Sequence, residues 1–97
     1  MDSDMKLGDA FFNWLQMHIV SHARPDDEAA KDTLDFFALI LREDHGVSQL
    51  TILNEEDPAR IWIEYEQEGE YHRHCFDRES AEKLLDDINS NPIYNNQ

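Results

Sequence analysis

The chain has 97 residues, of which 40% are hydrophobic, including five Phe and two Trp; that sets it apart from disordered acidic tails and suffices for one modest core. Its 22 acidic residues against 8 basic ones give a formal charge of −14, which repels phosphate backbones and anionic membrane surfaces and so argues against direct nucleic-acid or membrane binding. A single cysteine excludes a disulfide framework, and no apolar run approaches the ~18 residues of a bilayer span.

The opening MDSDMKLGD carries neither a basic region nor a long apolar one, so no signal peptide is expected and the chain reads as cytoplasmic. One domain over residues 1–97 is expected, with an ordered core from about 4 to 89 and a loose Asn-rich tail over 90–97.

Taken in order, residues 4–22 read as a first helix, with Ser3 or Asp4 available as its cap. Trp14, Leu7, His18, Phe11, His22, Leu15, Ile19 and Phe12 share about half of its circumference, a wide arc that calls for more than one packing neighbour. Ala23-Arg24-Pro25 breaks the chain. A second helix then starts from Asp26 or Asp27 and runs to about Asp44, with His45-Gly46 as its stop, because glycine accepts the left-handed conformation there. Ala30, Leu34, Phe37, Ala38 and Leu41 form its apolar stripe, widened by Ala29, Phe36 and Ile40. Leu39 is out of place, projecting among Glu28, Asp32, Asp35 and Glu43. The short connection favours an antiparallel helical pair.

Val47–Asn54 reads as a first strand, with Leu50 and Ile52 toward the core and Gln49, Thr51 and Leu53 on the other side. The polar turn 54–58 is too short for a crossover helix, so the next strand runs antiparallel. From Ala59 to Phe76 the chain reads as a hairpin closing at Glu68-Gly69. Ile61, Ile63 and Tyr65 alternate with Trp62, Glu64 and Glu66 as a half-buried strand requires. A two-residue loop pairs Ile61 with Phe76, Ile63 with His74, Tyr65 with His72, Trp62 with Cys75, Glu64 with Arg73 and Glu66 with Tyr71. A three-residue loop with a bulge would shift the return strand by one and swap its faces. The first register is preferred because it sets Glu64 against Arg73. Asp77 then caps a third helix to about Asn89, with Ala81, Leu84, Leu85 and Ile88 inward. The expected fold is therefore α+β: helix-helix-strand-strand-strand-helix, a three-stranded antiparallel meander with its helices packed on one face.

Motifs that would carry catalysis are few. His72 and His74 point to one side of a strand and could share a metal ion, whereas Cys75 points to the other side. His18 and His22 have helical ligand spacing but lack the HExxH pattern. Both pairs read more economically as histidines at the edge of the core, so no metal or other cofactor is expected. Carboxylates around Cys75 oppose thiolate formation, and with glycine only at 8, 46 and 69 there is no phosphate loop; no enzymatic activity is expected.

The stronger constellation is a surface. If the helices cover one side of the sheet, the other carries Trp62, Glu64, Glu66, Tyr71 and Arg73, with Glu55, Glu56 and Asp57 extending the acidity at one end. Aromatic anchors ringed by carboxylates suit a contact with a basic protein. The plainer reading is a Trp62–Tyr71–Arg73 cluster on an ordinary solvated sheet. Leu39 marks a second, smaller patch. The sequence thus suggests a small acidic binding module, of the kind seen in inhibitors, immunity or antitoxin proteins and DNA mimics. A self-associating module, possible as a homodimer, is the alternative.

Overall fold

The computed structural model describes residues 5–53 and 57–90. Its elements are α1 (Leu7–Ala23), α2 (Glu28–His45), β1 (Val47–Ile52), β2 (Arg60–Gln67), β3 (Glu70–Asp77) and α3 (Arg78–Ser90). The strands form one antiparallel sheet in the order β1-β2-β3. This is the α+β order that the hydrophobic periodicities imply.

Local chemistry sets most of the element ends. Asp27 accepts a hydrogen bond from the Ala30 amide at 3.0 Å and starts α2. Gly46, at φ 67°, ends it in the left-handed conformation, and its amide donates to the Leu41 carbonyl. The Gln67 side chain donates to the His45 carbonyl at 2.8 Å, tying the end of α2 to the far end of β2. Asp77 caps α3 through the Ser80 amide and hydroxyl, both at 2.9 Å. The first helix departs from expectation. It begins at Leu7 with Lys6 in the cap position and no side-chain cap; Ser3 and Asp4 lie outside the described residues.

Every pairing of the two-residue hairpin register is present, from Gln67–Glu70 at the turn to Arg60–Asp77 at the open end. Glu68 and Gly69 both have positive φ, 54° and 82°, the sign at both central positions that matches the twist of a tight hairpin. In β1 the ladder shifts between Ser48 and Thr51, and Gln49 sits there with φ 54°. This bulge resets the alternation, so that Val47 on one side of it and Ile52 on the other both pack into the core. Gln49 is therefore a bulge residue, not a regular member of the outer face.

All three helices bury their apolar residues against the Ile61–Ile63–Tyr65 side of β2. Ala10, Phe11, Ile40, Leu41 and Val47 gather with Ile63 and Tyr65, while Leu15 and Ala81 meet Ile61. Helix α1 is central, with α2 and α3 packed on its flanks. This explains two departures from its expected arc: Ala10 and Val20 are fully buried, whereas His22 is exposed. Ala29 and Phe36, expected to widen the α2 stripe, are exposed as well. The helix packs mainly against α1 and β1, with Ile40 and Leu41 reaching the β2 core, and Ala29 and Phe36 lie outside that contact.

Candidate binding face

With the helices on one side, the opposite side of the sheet has no element over it among the described residues. In β2 it presents Trp62, Glu64 and Glu66, and in β3 their partners Cys75, Arg73 and Tyr71. β1 adds Ser48 opposite Glu66 and Thr51 opposite Glu64. The hydrogen bond from the Leu53 amide to the Trp62 carbonyl, at 2.9 Å, brings Leu53 beside them. Tyr71 is 66% exposed, the most open of the large hydrophobic side chains among the described residues. Arg73 Nε lies 3.6 Å from Glu64 Oε2, with both side chains in water. A pair that solvated contributes about 0–1 kcal/mol, so it fixes side-chain placement more than stability.

Trp62 is half-buried, and its indole is held in place. Nε1 donates to Asp57 Oδ2 at 3.2 Å, while Asp57 Oδ1 accepts the amides of Ala59 and Arg60 at 2.9 and 3.2 Å. The Asp57 carbonyl in turn accepts Nε and Nη2 of Arg78 from the start of α3, at 3.2 and 3.0 Å. Hydrogen bonds from the Ala59 amide, then the Trp62 indole, hold the Asp57 carboxyl below its ordinary range. Asp57 is thus a positioning residue for Trp62, not a free member of an acidic rim. An aspartate opening an Asp-Pro turn, with a Trp five residues on, is the signal from which this role was readable. Glu55 and Glu56 lie outside the described residues. Leu39 is 45% exposed but sits on α2, in the helical layer, so the structure does not bring it to the Trp62 face.

The four candidate histidines stay apart, His72 and His74 on β3 and His18 and His22 on α1. His72 stacks on Tyr65 at 5.4 Å between ring centroids and approaches Glu70 at 3.8 Å; His74 lies against Phe76 and Phe11 at 4.6 and 6.5 Å. On α1 the rings of His18 and His22 are parallel at 6.3 Å, with Trp14 5.3 Å from His18. Burial, then the neighbouring His22, lowers the His18 pKa. Among the described residues no three His, Cys, Asp or Glu side chains converge as metal ligands would. Cys75 is free and half-buried.

An open groove of about 860 Å³ lies elsewhere, where the α1–α2 turn meets the end of α3, lined by Met17, Val20, Ala30 and Ile88 among others. Among its described lining residues the one cation is Arg24, which lies 3.5 Å from Asp27. No described helix is long and apolar enough to cross a membrane. The chain matches no protein-family model, and no curated protein or solved structure is significantly similar to it.

Proposed function

We propose that this chain is a non-enzymatic binding module whose uncovered sheet face docks on a basic surface of a partner protein. The observation that carries the reading is the combination on one face of an ordered Trp62, an open Tyr71 and the carboxylates of Glu64 and Glu66. Large aromatics contribute much of the energy at protein interfaces, and Trp62 has already lost rotational freedom to Asp57 before any partner arrives. A charge of −14 speeds encounter with a cationic surface and repels a second copy, which favours a foreign partner over self-association.

The test is affinity capture from an extract of the source organism at low and at high ionic strength, with the natural chain and with Trp62→Ala and Tyr71→Ala side by side. The reading expects a basic protein retained at low salt, released at high salt and lost to both variants. Retention that ignores both salt and the substitutions contradicts it.

A further inference from the structure

The outward face of α2 has no use in that reading, yet it carries two of the three large hydrophobic side chains that the described residues leave exposed. Phe36 is 56% exposed and Leu39 45%. Three residues apart on a helix, they are neighbours on its surface. Phe36 is also backed: its ring meets Phe37 edge-on at 5.4 Å, and Phe37 packs against the core. The pair therefore forms an apolar step on the helix surface.

Its surroundings are acidic and exposed. Asp32 stands one turn before Phe36 and Asp35 one turn before Leu39, while Glu43, one turn after Leu39, is paired with the exposed Arg42 at 3.2 Å. A second copy is a poor occupant. An antiparallel α2–α2 contact that set Phe36 on Leu39 would bring the acidic faces of two chains of −14 together, with Asp32 of one copy near Glu43 of the other, a repulsion that the Arg42–Glu43 pair only partly offsets. A neutral apolar helix fits no better, since it would desolvate these carboxylates without answering their charge. We propose that this face of α2 receives a cationic amphipathic helix of a partner protein. The apolar residues of that helix seat on Phe36 and Leu39, and its Lys or Arg residues answer Asp32 and Asp35, with Glu43 already held by Arg42. The α2 face belongs to the helical layer and not to the sheet face that carries Trp62, and the proposal stands independently of the sheet-face reading.

The test uses the full chain, isotope-labelled, and a synthetic leucine–lysine helix with its leucines on one face. A second peptide has the same composition scrambled so that no apolar face forms. The first peptide is expected to produce saturable shifts centred on the amides of Asp32, Asp35, Phe36, Leu39 and Glu43. Trp62, Glu64 and Tyr71 stay unmoved, and affinity falls about tenfold or more in Phe36→Ala/Leu39→Ala. Both sites are exposed, and circular dichroism of the variant checks that it stays folded. Equal binding of the scrambled peptide, shifts centred on the sheet, or no saturable shift at all overturns the proposal. So does a dimer in light scattering that the double variant abolishes, since the occupant would then be a second copy.

Discussion

The indole of Trp62 and the carboxylate of Asp57, five residues apart in sequence, are joined at 3.2 Å across the turn that enters β2. The same carboxylate holds the amides of Ala59 and Arg60, so one side chain shapes the turn and orients the aromatic anchor. Asp57→Asn keeps a carbonyl oxygen for the turn amides but removes the acceptor for the indole. The expected outcome is a shifted, faster-exchanging Trp62 indole resonance in nuclear magnetic resonance spectra, with that of Trp14 unchanged. In the natural chain the Trp62 indole resonance should follow the titration of Asp57. Because the folded carboxyl is held below its ordinary value of 3.8, the bond persists through that pH and is lost only as the pH falls through the lowered value. A Trp62 resonance that titrates at or above the ordinary value contradicts the assignment.

Gln49 and Glu68 both occupy positive φ at 54°, a conformation that costs side-chain-bearing residues about 1 kcal/mol or more relative to glycine. Gln49→Gly in the bulge should stabilise the fold by roughly 0.5–1 kcal/mol, net of the entropy that glycine loses on folding. Glu68→Asn should act in the same direction at the hairpin turn, where Asn-Gly is the preferred pair. Thermal denaturation reads both changes as a rise of a few degrees in Tm; a fall in both would mean that the two backbone conformations are not those of the folded chain.

The two sides of the sheet should respond very differently to truncation. Ile63 is fully buried beneath α1 and α2, and Ile63→Ala should cost about 2–5 kcal/mol, a large part of the stability of a domain this size. Tyr71→Ala, on the bare side, should stay within about 0.5 kcal/mol. Denaturant midpoints compare them directly, and similar losses at both sites would contradict an uncovered face.

His18 gives the fold a pH dependence of definite sign. Burial and the adjacent His22 lower its folded pKa, so the unfolded chain binds the proton more readily, near the ordinary value of 6.5. The stabilisation is complete above that value and is lost as the pH falls below it toward the lowered folded value. His18→Gln should flatten the change of denaturant midpoint with pH across this window. An unchanged slope in the variant would assign the dependence to other groups.

The parts of this fold that were legible in the sequence are those fixed by local chemistry. Asp27, Gly46 and Asp77 mark helix ends by hydrogen-bonding capacity or backbone freedom, and Gly69 with the Glu64–Arg73 match sets the hairpin register. What stayed hidden depends on neighbours. The β1 bulge places Gln49 where glycine is the usual occupant, so no residue announces it. The burial of Val20 and the exposure of Phe36 depend on how far α2 and α3 wrap around α1, which the periodicity of a single helix does not contain. A signal for Phe36 existed all the same, since it shares its side of α2 with Asp32 and Glu43. In the candidate site, strand alternation placed Trp62, Glu64, Glu66, Tyr71 and Arg73 on one face, while the grip of Asp57 on Trp62 is a tertiary contact through a turn.

The central claim is that the uncovered sheet face is where a basic partner sits. The most direct measurement is a resonance map of the labelled chain as the basic protein recovered by salt-dependent capture is added. The account predicts that the Trp62 indole and the amides of Glu64, Tyr71 and Arg73 shift most, and that added salt reverses the change. If those signals stay in place while the partner binds through the helical layer alone, the claim is contradicted.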